Sequence, residues 1–449
     1  MLLSRRAFVI GSSAALPFAL ASGAASARGR VPLGGRIAMH VPWPLGGVDP
    51  HRLDDAGAAI FGDALFDTLY VRDEAGAIAP SLAEAEPEVD GAALRVVLRA
   101  GLRSAHGRAI FPRDVAASIV RARALGAKAW LADVPTPKID DAGHALVFAM
   151  RDAARLTRAL ASPLVAVVPL AFHPSRPDGT GPMRADRRTD ALVLTRNALA
   201  ARGASILDEI VVGDAKDLLT SLRSFQSGAD DLGWLGSGLY EPRKGSVPFD
   251  AGAVAWAILR TGKDAGAEWS APGVAQSVCD AIPHSALKAL VLGAEWTSTG
   301  KSAWAGAPVE LLVRDDSAWL MELGKTMSGV LTSPSHEVTL KPVPQAELAQ
   351  RRASRTFALA LDVARPLAGG SLGAYAGLAT ADDPSSAVDA VRHAPRGEMP
   401  VRAMTRTMRI GVVGEVRVQG SRMPDIALPL SPPTAGVDWG AASRGGKTR

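Results

Sequence analysis

Between Val309 and Ala364 the chain reads VELLVRD, AWLMELGKTMSGVLTS, HEVTLKPVP, QAELAQRRA and TFALALDVA. Short apolar runs alternate with stretches whose apolar residues recur at helical spacing. That order is strand, helix, strand, helix, strand. Strands separated by helices close into an α/β layer, because each helix covers one sheet face while carrying the chain back to the next strand. The same grammar opens the chain. Gly35 to Trp43 (GRIAMHVPW) reads as a buried strand ended by Pro42 and Pro44. Ala59, Ile60, Leu65, Leu69 and Val71 then mark a helical face running into a short strand. The expected fold class is therefore α/β.

Composition limits what such a chain can do. Its 449 residues correspond to about two to four domains, and 47% hydrophobic residues supply their cores. Fifty basic side chains oppose 45 acidic ones, scattered rather than gathered into a stripe, which argues against nucleic acid as a partner. A single cysteine, Cys279, excludes an internal disulfide and any Cys-rich metal site. The eight histidines contain no i,i+4 pair, so no histidine-built zinc site and no cofactor is expected.

The N-terminus reads as an address. Arg5 and Arg6 precede an apolar run from Ala7 to Leu20, and Ala25-Ser26-Ala27 fits the small-x-small cleavage rule. Ser4-Arg5-Arg6-Ala7-Phe8 is similar to the twin-arginine export motif. The run is too short for a stable membrane anchor. The expected product is a soluble periplasmic protein released by cleavage near Ala27.

Farther on, an Asp90-Gly91 turn precedes the strand ALRVVLRAG, and Pro112 starts the helix PRDVAASIVRARAL. His106 sits between them in SAHG, where it is expected to close a turn rather than to act on a ligand. Two proline-flanked loops are expected, at ASPLVAVVPLAFHPSRPDGTGPMRA and at EPRKGSVPFDAGA. ADRRTDALVLTRN reads as strand, turn, strand, and AKDLLTSLRSFQSGADDLGWL as a helix followed by a strand. Strands return in TRTMRIGVVGEVRVQGSRMPDIALPLSP, and the tail after Trp439 is expected to be disordered.

Five of these pieces, taken in order, resemble the family 5 extracellular solute-binding proteins of ABC importers, which bind peptides and nickel. They are the VDPHRLDD to PSLAEAEPEVDG stretch, LRVVLRAGLRSAHGRAIFPRDVAASI, DGTGPMRA, RNALAARGASILDEIVV and LTSLRSFQSGADDLGWL. The resemblance implies a two-lobed periplasmic binding-protein fold of type II with an extra inserted subdomain. It implies a monomer that holds a peptide-like or other small solute between its lobes and delivers it to an ABC permease in the inner membrane. In peptide binders of that family an acidic residue close to a tryptophan and an Asp-Pro pair holds the ligand's amino group. The nearest counterpart here is LALDVARPLAGG, with Asp362 and Arg365-Pro366 but no tryptophan.

Open α/β sheets bind ligands beyond the carboxyl ends of their strands. That rule and the resemblance nominate Trp43, Pro44 and Leu45, then Trp234, Leu235 and Gly236, and finally Asp362 and Arg365. Both tryptophans end a strand ahead of a glycine-rich loop, where an indole offers an apolar wall with one donor. Lobe I is expected from 28–50, 165–248 and 398–449, with the inserted subdomain at 51–164 and lobe II at 249–397. The crossings between lobes are expected near Val247-Pro248 and from Arg396 to Pro400. No catalytic set is visible, so the chain is expected to bind rather than catalyse. An exported enzyme and a chemosensory or interaction protein on the same fold are the alternatives.

Overall fold

A computed structural model describes residues 32–73, 76–234, 243–287, 290, 304–395, 397–430 and 436–445. The segment expected to be an export leader lies outside them. Ten strands form one sheet: β1 (Arg36–Val41), β2 (Met183–Arg188), β3 (Ala191–Arg196), β4 (Glu209–Asp214), β5 (Leu232–Trp234), β6 (Val247–Thr261), β7 (Val309–Arg314), β8 (Val338–Val343), β9 (Leu359–Ala364) and β10 (Ile410–Arg422). Their order across the sheet is β8-β7-β9-β6-β10-β5-β1-β4-β3-β2. Residues Pro32–Arg449 form one compact unit.

The two long strands organise everything else. β6 and β10 pair antiparallel from Val247↔Arg422 to Arg260↔Ile410, with register breaks between Asp250 and Ala255 and again between Ala257 and Ile258. β5 joins the far end of this ribbon, at Gly420 to Arg422 of β10. β9 joins the opposite end, at Trp256 to Thr261 of β6. One group of strands (β5, β1, β4, β3, β2) therefore hangs on one end of the ribbon, and β9, β7 and β8 on the other. Within each half β1 runs parallel to β4, and β7 parallel to β8 and β9.

Two local readings are corrected here. EPRKGSVPFDAGA was expected to be a loop, but Val247 onward already belongs to β6. Pro248 is tolerated because it is the second residue of the strand, ahead of the register breaks, where missing one ladder donor costs little. The tail after Trp439 was expected to be disordered, but Ser443–Arg444 pairs with Ile426–Ala427. Arg444 also reaches Asp425 and Asp231, both at 3.0 Å.

Helices start where the chain supplies an acceptor for a free N–H. The Asp55 carboxylate takes the Ala58 N–H at 2.8 Å and starts α1 (Ala56–Leu65). Asp114 reaches back to the Phe111 N–H at 2.9 Å, and Pro112 opens α2 (Pro112–Ala122). Ser317 caps α3 (Ala318–Leu331). Two further helices, α4 (Gln345–Ser354) and α5 (Gly370–Asp382), flank β9 in sequence.

A separate sheet of four short antiparallel strands (Glu88–Asp90, Ala93–Val97, Ala145–Phe148, Lys138–Ile139) lies in the 51–164 segment. Its buried Leu94, Val96, Leu146 and Phe148 share one apolar core with Val115 and Ile119 of α2. That core runs on into Trp256 and Ile258 of β6 and Leu378 of α5. The alternate residues Ala257 and Leu259 face a second core, with Leu359, Leu361 and Val363 of β9 and Trp319 of α3.

The SAHG and DGTGP stretches prove to be one structural device. Ser104 Oγ donates to Asp178 at 2.9 Å, the His106 N–H to the same carboxylate at 3.2 Å, and the Ala105 N–H to the Gly179 carbonyl at 2.7 Å. The two glycines of DGTGP are required by proximity: a Cβ on Gly179 would stand 2.2 Å from the Leu65 carbonyl oxygen, and one on Gly181 2.6 Å from that of Ala64. His106 thus ties one turn to the other.

Candidate ligand cleft

β1 and β9 run toward each other from opposite ends of the β6–β10 ribbon, so their carboxyl ends meet. The loop after β1 (42–55) therefore faces the loop after β9 (365–369). The Arg365 N–H donates to the Leu53 carbonyl at 3.1 Å, and its guanidinium to the Arg52 carbonyl at 3.3 Å. Burial lowers the Arg365 pKa, against the pull of Asp55, Asp63 and Asp49.

The 42–55 loop is held rigidly. The Asp49 carboxylate receives two bonds from Arg121, at 2.7 and 2.6 Å. His51 is fully buried, and burial lowers its pKa to about 4, so the ring is neutral. Its Nδ1 faces the Arg121 guanidinium at 2.8 Å, which can only donate, so Nδ1 accepts. Nε2 therefore carries the proton and donates to the Ala166 carbonyl at 2.7 Å. Burial pushes the Asp55 carboxyl up to about 6, while it holds the N–H groups of Asp49 and Ala58.

A cavity of about 400 Å³ opens beside this contact and continues into a smaller one of about 180 Å³. Asp63 of α1, Pro163, Arg365 and Gly369 line both, so they are parts of one cleft. The larger part adds Asp67, Asp438, Arg158 and Arg202. The smaller adds Trp256. Arg202 pairs with Asp67 at 2.5 Å, and Thr180 donates to the other Asp67 oxygen at 2.7 Å. The cleft is thus walled by both halves of the molecule, and guanidinium and carboxylate groups line it alongside apolar residues such as Phe66 and Trp256.

Of the residues nominated from sequence, Arg365 lines this cleft. Trp43 is 2% exposed, and its ring lies 4.8 Å from that of Trp319. It bridges the two halves inside the core, and its Nε1 finds no hydrogen-bond partner among the described residues. Leu45 is also in that core, and Pro44 next to it is half-buried. Asp362 is 2% exposed and bonded to Arg260 and Arg352. It stands on the β9 face opposite Leu361 and Val363 and does not line the cleft. The backbone of Trp234 ends β5; its side chain, Leu235 and Gly236 lie outside the described residues. Sequence reasoning missed Asp63, Arg202 and Trp256. Asp63 carried a faint signal as an acid on a largely apolar helix. Trp256, inside AVAWAIL, reads only as core.

No family model matches this chain, and neither does any curated protein sequence. Solved structures do. The oligopeptide-binding protein AppA from Bacillus subtilis, in complex with a nonapeptide, superposes with a TM-score of 0.68 over 93% of this chain and 100% of its own, at 12% identity. The periplasmic binding protein DppA from Helicobacter pylori, in complex with the peptide STSA, gives 0.66 over 92% and 99%, at 12% identity. NikA from Brucella suis, in complex with Fe(III)-EDTA, gives 0.61 over 91% and 100%, at 13% identity. These neighbours fit the resemblance read from the sequence, and they are binding proteins.

Proposed function

We propose that this chain, whose mixed α/β fold is that of the two-lobed periplasmic binding proteins, is the solute-capturing component of an ABC importer. Its solute would be a small zwitterion of the peptide class, enclosed between the halves and passed to a membrane permease. The observation that carries this reading is the cleft itself. Arg365 would meet the ligand's carboxylate and Asp63, whose charge also acts on Arg365 and Arg202, its ammonium group, from opposite halves. A ligand touching both groups binds the closed form better than the open one, which is how binding drives closure. The β6–β10 ribbon is the hinge on this account, bending where its register breaks between Asp250 and Ala255. Lobe I then comprises 28–50, 165–248 and 398–449, with 51–164 inserted, and lobe II 249–397. Among the described residues no group of three or more His, Cys, Asp or Glu side chains could hold a metal ion. The Cys279 thiol is buried and pushed up to about 12 by that burial, which keeps it un-ionised. No helix among the described residues is long and apolar enough to cross a membrane. Export through the 1–27 leader and function as a periplasmic monomer belong to the same proposal. The test is mass spectrometry of protein purified from its native compartment, first native and then denatured. A stoichiometric zwitterionic ligand released unchanged is expected; a chemically converted ligand would contradict the reading.

A further inference from the structure

A second cavity, of about 780 Å³, lies on the other side of the Leu53–Arg365 contact and shares no lining residue with the cleft. Its roof comes from the end of α2 and the turn beyond it, with Arg123 and Lys128; its walls come from α4, the end of β6 and the end of α5. Six cations line it: Arg123, Lys128, Arg260, Arg352, Arg355 and Arg409. The lining acids are Asp54, Asp382 and Asp383.

Those acids are largely engaged. Asp54 is bonded to Arg52 and to Arg352. Asp382 accepts the Arg409 backbone N–H at 2.8 Å, and Asp383 is occupied by Ser385 and Ser386. Arg260 and Arg352 converge on the buried Asp362 beneath the floor. That leaves Lys128 exposed above, and the half-buried Arg355 and Arg409 below, whose guanidinium groups make no side-chain hydrogen bond among the described residues and feel the charge of Asp382 at longer range. Arg355 is also, among the described residues, the non-glycine residue held at positive φ, +58°. The six cations outnumber the three lining carboxylates, and an excess of like charge brought together from two parts of the molecule repels unless a further anion joins it.

We infer that this cavity is a second binding site, for a small polyvalent oxyanion held by Arg355, Arg409 and Lys128, which favours closure of the 51–164 segment onto the second half. Guanidinium forks suit such oxygens through paired charge-assisted bonds. The inference is independent of what occupies the cleft.

The experiment is calorimetric titration of the full chain with inorganic phosphate and with citrate, at constant ionic strength set by chloride. Saturable binding of at least one of the two is expected, with a smaller radius of gyration in solution scattering. Loss of one charge-assisted contact weakens binding about tenfold or more, so Arg409→Gln and the exposed-site variant Lys128→Gln should each raise Kd, and together more. Arg158→Gln, in the cleft, should leave anion affinity unchanged. Absence of binding beyond the chloride control, or an unchanged Kd in the Lys128→Gln/Arg409→Gln protein, would overturn the inference.

Discussion

Replacing Asp362 by leucine removes the carboxylate shared by two guanidinium groups. Arg260 is 9% exposed at its side chain and donates to Asp362 from Nε and Nη2, at 3.2 and 3.1 Å. Arg352 retains Asp54 as a partner; Arg260 retains the Ala381 carbonyl and the more distant charge of Asp382. Stranding a buried charge in this way costs about 3–5 kcal/mol. With an unfolding entropy of ~2.1 cal/mol/K per residue over roughly 400 folded residues, ~4 kcal/mol lowers Tm by about 4–5 °C. Adding Arg260→Met should restore most of the loss, because a buried pair exchanged for apolar side chains is close to neutral. Differential scanning calorimetry reads both variants, and a dipeptide titration reads the cleft. The reasoning requires lower Tm with unchanged cleft affinity. Unchanged Tm together with lost dipeptide affinity would refute it and would make Asp362 a ligand contact.

Gly179→Ala places a methyl group 2.2 Å from the Leu65 carbonyl oxygen and 2.5 Å from the Phe66 ring; backbone must move, so a loss of roughly 3 kcal/mol or more is expected in urea unfolding, whereas a near-neutral result would contradict the close approach. The pH dependence has two opposed parts. His51 titrates near 4 when folded and at 6.5 ordinarily, so the unfolded chain takes up its proton first, and stability is lost as pH falls from 6.5 to 4. Asp55 titrates near 6 when folded and at 3.8 ordinarily, so the folded chain takes up its proton first, and stability is gained as pH falls from 6 to 3.8. Asp55→Asn removes the second part alone, and its stability should fall more steeply than that of the wild type between pH 6 and 4; parallel curves would exclude that role for Asp55.

What could be read from sequence follows from the range of the interactions involved. β7, β8 and β9, the cap at Pro112 and the Asp90-Gly91 turn are local, and apolar spacing with turn chemistry locates them. His106 was rightly placed in a turn, because glycine at Gly107 (φ +83°) and the lack of catalytic neighbours are also local facts. The fates of Trp43 and Asp362 depend on distant partners. Trp43 lies just past the end of β1, but Trp319 arrives from the other half and turns its indole into the core. Asp362 sits in an apolar strand with no sign of Arg260 and Arg352, which come from β6 and α4. The cleft draws Asp63, Arg202 and Trp256 from three separate segments, whose local patterns are those of a helix surface, a loop and a buried strand.

The central claim is that a zwitterionic solute bridges the halves through Arg365 and Asp63. Its most direct test is tryptophan fluorescence titration with dipeptides, paired with solution scattering, on the wild type and on Arg365→Met. The wild type should saturate and contract, and Arg365→Met should bind about tenfold or more weakly. Saturation and contraction unchanged in Arg365→Met would contradict the claim.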